Sequence, residues 1–213
     1  MPRINPWVAL VLLLAACGHS GTPTAPATAP AAPTTASAAP AASSGAPAGP
    51  EKAVPAEQNP PGDIPDNIAF VEYTNAAGKY RFTHPEGWAE KTQGATVTFT
   101  DKLNGVQATV GSATTTPTGA SATEQDVPAL RSGQAAFELR GITEVSVPAG
   151  AGVRIVYRRN SAPDPVTGRQ YRDEVERYEI VAGGREVIVE LFGPVGADNV
   201  DAYRTMIKSL KIS

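Results

Sequence analysis

The sequence predicts an α+β domain built on a central, mostly antiparallel β-sheet that is packed between helices. Three observations support this fold class. Apolar and polar residues alternate over most of the chain after residue 67, which is the period of half-buried strands. Turn residues separate these runs at hairpin spacing. Only two stretches, near residue 127 and after residue 198, show the apolar period of a helix.

The chain before this domain has the composition of a leader and a tether. Arg3 precedes the apolar run Trp7–Ala16, which is too short to span a bilayer and is typical of a secretory signal. Every residue from Ser20 to Pro50 is Ala, Pro, Thr, Ser or Gly. Such a segment buries too little apolar surface to offset the entropy of ordering it. We expect a signal peptide over residues 1–16, a disordered tether over residues 17–66 and one globular domain over residues 67–213.

Cys17 is the only cysteine, and it directly follows Leu14, Ala15 and Ala16. This arrangement resembles the lipobox of bacterial lipoproteins, in which the thiol is diacylated and the cysteine becomes the first residue of the mature protein. The resemblance implies lipidation at Cys17 and anchoring at the extracytoplasmic face of the cell membrane. The alternative is an ordinary signal peptide that contains a cysteine. A lipidated Cys17 leaves no thiol for a disulfide or for catalysis.

The first half of the domain is expected to contain hairpins and one short helix. Asn104-Gly105 favours a tight hairpin because both residues adopt positive φ readily. Ser121 and Glu124 have the spacing of a capping box, and Pro128 is compatible with a helix only in its first turn, so a short helix is expected from about residue 124 to Gly133. The strands expected before it are Phe70–Tyr73, Tyr80–Phe82, Val97–Phe99 and Val106–Val110.

The second half is expected to contain longer strands and a closing helix. The expected strands are Ile142–Val147, Val153–Tyr157, Tyr171–Val181 and Glu186–Phe192. A helix is expected from about Asp198 to Lys211, with Asp198 as its N-cap. Its apolar stripe is formed by Val200, Tyr203, Ile207 and Leu210.

Short motifs of aromatic, proline and glycine residues mark both ends of the domain. They consist of Tyr80, Phe82, Pro85, Gly87 and Trp88 at the front, and of Gly183, Gly184, Val187, Val189, Leu191, Tyr203, Ile207 and Leu210 at the back. Their order resembles that of the PsbP-like family, which has the Mog/PsbP fold. The resemblance implies an antiparallel sheet between helices and an accessory or binding role rather than one enzyme class. No metal-binding residue is carried over from the family.

Charge and residue content argue against several classes of function. The domain has 16 Lys and Arg against 17 Asp and Glu, so no strong field attracts nucleic acid. His84 is its only histidine, and no Gly-x-Ser-x-Gly motif presents a serine. The segment Gly193–Asn199 could bind an anion but is better explained as a strand-to-helix turn. No catalytic residue, metal or cofactor is therefore expected.

The segment from Val153 to Val181 combines arginines with acids and tyrosines. Its acids, Asp173, Glu174, Glu176 and Glu179, alternate with arginines, and we expect cross-strand ion pairs on a solvated face of a projecting hairpin. The same composition is typical of a recognition surface. The residues expected to bind a partner are Arg158, Arg159, Arg172, Tyr157, Tyr171 and Tyr178.

The sequence thus favours a non-enzymatic envelope lipoprotein that is bound to the membrane through its N-terminal lipid and contacts another envelope protein. The alternative is a lipoprotein that binds a small molecule for a transporter or a sensor, and an enzyme is the least favoured hypothesis. A deep apolar cavity between sheet and helix would favour the ligand binder. A filled core and a flat charged hairpin would favour the protein contact.

Overall fold

The computed structural model describes residues 51–58 and 62–213. The signal peptide, Cys17 and the predicted tether up to residue 50 lie outside these residues. Within the described part no helix is long and apolar enough to cross a membrane. The strands, in chain order, are β1 (Phe70–Asn75), β2 (Tyr80–Pro85), β3 (Ala89–Gln93), β4 (Thr96–Asp101), β5 (Asn104–Val110), β6 (Glu138–Val147), β7 (Gly150–Asn160), β8 (Arg172–Ala182), β9 (Arg185–Pro194) and β10 (Lys211–Ile212).

These strands form two sheets. The larger sheet has seven strands in the order β3-β4-β5-β9-β8-β7-β6, and all its neighbouring strands are antiparallel. The smaller sheet has the order β1-β2-β10. The helices are α1 (Gly119–Ser121), α2 (Val127–Gly133) and α3 (Val200–Ser209), with a π-helical turn, Ala122–Asp126, between α1 and α2. The predicted α+β fold class with an antiparallel sheet is confirmed.

The first helical region begins earlier than predicted. Thr118, not Ser121, caps it: the Thr118 side chain accepts from the Ser121 backbone N–H at 3.2 Å, and the Ser121 hydroxyl accepts from the Thr118 N–H at 2.9 Å. The capping box therefore lies three residues before the predicted pair. Pro128 is the second residue of α2, which directly follows the π-helical turn. A proline has no N–H and its ring clashes with the carbonyl four residues earlier, so a widened turn lets the helix continue past it.

The last helix is shorter than predicted, because residues at both of its ends have other partners. Asn199 is at the N-cap position instead of Asp198, and its side chain accepts from the Ile64 N–H and donates to Asn104 Oδ1. Val200 is 57 % exposed and lies outside the apolar stripe. Lys211 is not helical, since it pairs with Arg81 as part of β10.

Two apolar clusters fill the molecule, one on each face of the large sheet. Side chains alternate between the faces of a strand, so Ile155 of β7 packs with Leu130 of α2, whereas Ile180 of β8 packs with Met206 of α3. We name the two sides of the sheet the α3 face and the α2 face after these helices. The cluster on the α3 face is the larger, and it includes Phe82 of the small sheet.

The ordered domain begins before the predicted boundary at residue 67. Ile64 is buried in the larger cluster, and the Gly62 carbonyl accepts from Asn104 Nδ2 at 2.6 Å. Further upstream, the Val54 N–H donates to Asn160 Oδ1 at 3.0 Å, and Glu57 forms an ion pair with Arg169. The prediction of a structureless tether up to residue 66 is therefore wrong for residues 51–58 and 62–66. Composition did not reveal this because the contacts are mostly polar and come from strands distant in sequence.

Candidate functional site

His84 has the contacts of a core residue. It is 8 % exposed, and its ring stacks on Phe99 with 3.6 Å between the ring centroids. Its Nδ1 donates to the Pro85 carbonyl at 2.9 Å. Burial lowers the pKa of the imidazole from its ordinary value. The stacking and the hydrogen bond hold the ring in one orientation, and burial favours its neutral form although the Pro85 hydrogen bond opposes that shift. These contacts are those of a packed core histidine.

The charged hairpin does not project from the sheet. Strands β7 and β8 lie inside the large sheet, between β6 and β9, and only the connection over residues 161–171 extends beyond the strand ends. Three of the six residues expected to bind a partner are buried: Tyr157, Arg172 and Tyr178 are 0 %, 5 % and 8 % exposed. For these three the prediction of an exposed contact surface is wrong, because both neighbouring strands and the packed faces enclose them.

Arg172 has structural partners for its guanidinium group. It donates to the Ala136 carbonyl at 2.8 Å and to Glu138 Oε2 at 3.0 Å. The same side chain lies 3.4 Å from Asn160 Oδ1. A buried arginine satisfied in this way ties the start of β6 to the start of β8 and is not available to a partner.

Arg158, Arg159 and Tyr171 are the remaining members of the predicted surface, and all three are half-buried. Arg158 forms an ion pair with Glu174 at 2.9 Å. Arg159 donates to Gln134 at 3.1 Å, and its guanidinium carbon lies 5.1 Å above the centre of the Phe192 ring. These residues retain enough exposure for a contact, but each is already held by a neighbour.

The acids of β8 do not share one solvated face, contrary to the prediction. Glu174 and Glu176 are half-buried on one side, while Asp173 and Glu179 on the other are 4 % and 2 % exposed. Burial raises the pKa of Asp173 to about 6 and that of Glu179 to about 7, although nearby arginines oppose both shifts. The two-residue alternation of the strand forces this division.

A buried ionic network accounts for the charges on the α2 face. Arg177 donates to Glu179 at 2.6 Å and to Glu190 at 2.8 Å. The Tyr157 hydroxyl also donates to Glu190, at 3.2 Å. Every charged group of the network has a partner, as buried charges require. The arrangement explains the buried acids without a catalytic role.

An acidic pocket of about 540 Å³ adjoins this network, beneath the threonine-rich loop over residues 112–118. Asp126, Glu179 and Glu186 contribute its carboxylates. Glu186 accepts from the Ala113 N–H at 2.9 Å, so it fixes the loop. Within the described residues no group of three or more His, Cys, Asp or Glu side chains is arranged to hold a metal ion.

The α3 face carries a different feature, which we call the helix groove. It is an open groove of about 400 Å³ between α3 and strands β6–β8. Its apolar part is formed by Val145, Val147, Pro148, Tyr178, Val200, Tyr203 and Ile207. The groove exists because α3 covers β8 but not the edge of the sheet, where β6 ends. Its volume lies within the range of small-molecule sites, about 300–1,000 Å³.

The polar part of the helix groove is mainly cationic. Arg154, Arg204 and Lys208 line it, against the single carboxylate of Glu176. Arg204 forms an exposed ion pair with Asp201, whereas Lys208 has no ion-pair partner among the residues that the structure describes. A groove with apolar walls and unneutralised positive charge can hold a ligand that has an apolar part and a negatively charged group.

Arg154 is held only weakly by its neighbours in the groove. Its Nε lies 3.8 Å from Glu176 Oε2, too far for a hydrogen bond. Glu176 instead accepts from the Tyr178 hydroxyl at 2.8 Å. Among residues 62–213, Arg154 Nε is the one buried side-chain nitrogen or oxygen atom without a hydrogen-bond partner.

Sequence patterns do not single out the helix groove. Arg154 alternates with apolar residues as an ordinary strand arginine does, and Lys208 is expected near the helix end for its interaction with the helix dipole. The helical period wrongly predicts that Val200, which is exposed, belongs to the buried apolar stripe of the last helix. The groove depends on where α3 crosses the sheet, and that crossing has no signal in a single strand or helix.

The chain is similar to several solved structures of low sequence identity. It matches the solution structure of cyanobacterial PsbP (CyanoP) from Synechocystis sp. PCC 6803 with a TM-score of 0.48 and 15% identity, over 68% of this chain and 94% of that one. It matches the Saccharomyces cerevisiae Ran-binding protein Mog1p with a TM-score of 0.43 and 8% identity, over 68% and 96% of the two chains. A Pseudomonas aeruginosa protein of unknown function matches with a TM-score of 0.42 and 11% identity, over 66% and 94%.

These similarities concern the fold alone. They cover the C-terminal two thirds of the chain, the part in which the sequence resembles the PsbP-like family. No protein-family model and no curated protein sequence matches the chain.

Proposed function

We propose that the chain is a non-enzymatic, lipid-anchored lipoprotein of the cell envelope that binds a small, largely apolar ligand. Cys17 and the run before it support the anchor, and the Ala, Pro, Thr and Ser composition of the following residues supports a tether. The anchored domain would then act on the extracytoplasmic side, as an accessory to a transporter or a sensor.

The helix groove is the observation that carries the binding proposal. It combines the volume of a small-molecule site with apolar walls and few polar side chains. The acidic pocket is more polar, and the loop over residues 112–118, whose backbone bonds to Glu186, forms part of its wall. Half of the predicted hairpin surface is buried. The properties of the helix groove, the acidic pocket and the hairpin surface together favour ligand binding over a protein contact through the hairpin.

The anchor is tested by changing Cys17 to serine and fractionating cells. The wild-type protein should be found with membranes, and Cys17→Ser should lose the acylated form and leave the membrane fraction. An equal membrane content of the two proteins contradicts the lipoprotein assignment.

Ligand binding is tested with the neutral fluorescent probe N-phenyl-1-naphthylamine and the chain from residue 17 onward carrying Cys17→Ser, so that no detergent is needed. Val145→Glu places a charge in the groove wall and should abolish the fluorescence increase. Val166→Glu is the matched control, because Val166 is 90 % exposed and lies outside the groove. Equal fluorescence from both variants would exclude the groove as the apolar site.

A protein contact remains the second candidate, supported by the exposed end of the β7–β8 hairpin. Val166 is exposed there, and the Arg169 guanidinium carbon lies 4.9 Å above the centre of the Tyr171 ring. Crosslinking in intact cells should distinguish the candidates. A crosslink lost in Arg169→Ser but retained in Val145→Glu would favour the protein contact.

A further inference from the structure

We propose that the ligand of the helix groove is a single-chain fatty acid, with its alkyl chain on the apolar walls and its carboxylate at Arg154. The inference rests on the proposed ligand-binding function and adds the chemical class of the ligand. It follows from three properties of the groove: its charge, its uncommitted donor and its size.

Charge complementarity favours an anion. Arg154, Arg204 and Lys208 face the groove with only Glu176 to oppose them, and Asp201 outside the lining neutralises Arg204. Two positive charges therefore remain against one negative charge. Glu176 is directed to the Tyr178 hydroxyl. An added carboxylate would balance the groove, whereas a cationic ligand would raise its positive charge further.

Arg154 supplies the donor that a carboxylate needs. Its side chain is 40 % exposed, so part of the guanidinium is accessible, while the buried Nε has no hydrogen-bond partner. A guanidinium group binds a carboxylate through two parallel hydrogen bonds. A small rotation of the side chain toward the groove would let Nε and one terminal nitrogen donate to the same carboxylate group of the ligand.

The walls and the volume favour one alkyl chain. Val145 and Val147 on β6 face Ile207 on α3 across the groove, and all three offer aliphatic surface without a hydrogen-bonding group. Burial of each methylene against these walls removes apolar surface from water and so favours binding. About 400 Å³ is at the small end of ligand sites, which suits one chain better than a two-chain lipid.

The test uses sodium dodecanoate below its micelle concentration and the chain from residue 17 onward with Cys17→Ser. Isothermal titration should show binding of dodecanoate at least about tenfold tighter than that of the neutral dodecan-1-ol, because a charge-assisted hydrogen bond is absent from the alcohol. Arg154→Gln should remove about this tenfold difference and leave dodecan-1-ol binding unchanged. Acetate, which lacks the chain, should not bind measurably.

Arg158→Gln is the matched control. Arg158 lies on the same strand and the same face, four residues from Arg154, but does not line the groove. It should bind both probes like the unchanged protein. Circular dichroism of both variants establishes that each is folded.

The outcomes separate the two proposals. Equal affinity for dodecanoate and dodecan-1-ol, both lost in Val145→Glu, would overturn the fatty-acid assignment and retain the groove as an apolar site. Binding of neither probe, together with no N-phenyl-1-naphthylamine signal, would overturn the ligand-binding function itself. Equal loss of dodecanoate affinity in Arg154→Gln and Arg158→Gln would show that general positive charge, and not Arg154, attracts the anion.

Discussion

The two faces of the large sheet are closed by different means. On the α3 face, a helix and the small sheet cover a continuous apolar cluster that contains aromatic residues such as Phe82 and Phe99. On the α2 face, the short helix α2 covers a smaller cluster around Ile155. The rest of that face buries the Arg177 network instead of apolar side chains.

The difference shows how the amount of covering structure determines what a sheet can bury. Apolar side chains need cover over their whole surface to be removed from water. Where the cover is short, charged side chains can close the face, provided that each has a partner. The helix groove marks the place where the α3 face is also incompletely covered, and there the exposed surface is partly apolar.

The largest expected effect comes from the apolar cluster of the α3 face. Phe99→Ala should lower the free energy of unfolding by about 3–5 kcal/mol, because Phe99 is 1 % exposed and its removal leaves a cavity among aromatic rings. Urea denaturation measures the change. Leu139→Ala, in a partly buried position against the α2-face cluster, should cost less. A larger loss for Leu139→Ala would contradict the ranking of the two clusters.

The second effect comes from the ionic network of the α2 face. Arg177→Met should destabilise the protein by about 3 kcal/mol, since it leaves Glu179 and Glu190 buried without their cation. The triple variant Arg177→Met, Glu179→Leu, Glu190→Leu should recover most of this loss, because no unpaired charge remains. Thermal melting of both variants checks the prediction. If the triple variant is the less stable of the two, the network contributes more than mutual neutralisation.

The third effect is a dependence of stability on pH that originates at Asp173. Burial raises the pKa of its carboxyl from 3.8 to about 6 in the folded state. The folded protein therefore holds the proton more tightly than the unfolded chain, and stability falls as the pH rises from about 4 to above 6, by about 2 kcal/mol. Asp173→Asn should reduce this slope in urea titrations, and the slope that remains should extend to about pH 7, because burial raises the pKa of Glu179 to about 7.

Asp201→Asn is the control for that measurement, because the Asp201 side chain is 80 % exposed. Its profile should follow that of the unchanged protein. A slope that persists fully in Asp173→Asn would assign the pH dependence to other carboxyl groups.

The smallest effect separates two arginines of the hairpin that look alike in the sequence. Arg172→Ser should cost about 1–3 kcal/mol, because the Ala136 carbonyl loses its donor inside the protein. Arg158→Ser should cost less than about 1 kcal/mol, since its ion pair with Glu174 is partly exposed. Differential scanning calorimetry of the two variants measures the difference between their melting temperatures. Equal melting temperatures would mean that burial does not distinguish the two positions.

Much of the local structure was predictable from particular residues. A tight turn joins β4 to β5 as predicted, but it is formed by Lys102-Leu103, with Lys102 at a positive φ, and not by Asn104-Gly105, which already pairs with β4 as part of β5. The alternation of Val187, Val189 and Leu191 correctly assigned β9 to the core. Strand β3 was missed, because all of its residues are exposed and it has no apolar alternation. Strand β10 was missed because two residues are too few to show a period.

The candidate site was less predictable than the fold. Tyr157 and Arg172 are of residue types that are enriched in recognition surfaces, but residue type does not indicate which strands lie beside a hairpin. Only the order β9-β8-β7-β6 shows that both residues lie inside the sheet. The same holds for Arg154, whose free donor is defined by the positions of Glu176 and Tyr178.

The sequence by itself determined the fold class and the positions of most strands, because alternation, turn chemistry and helical period act over a few neighbouring residues. It also supplied the prediction of an anchor at Cys17, which depends on a local motif. The tertiary structure alone decided which charges are buried, where the ordered domain begins and where a groove opens. Those properties depend on contacts between residues far apart in the chain, such as the 2.8 Å hydrogen bond from the Ile64 N–H to Asn199 Oδ1. No local pattern encodes the crossing of a helix over a sheet.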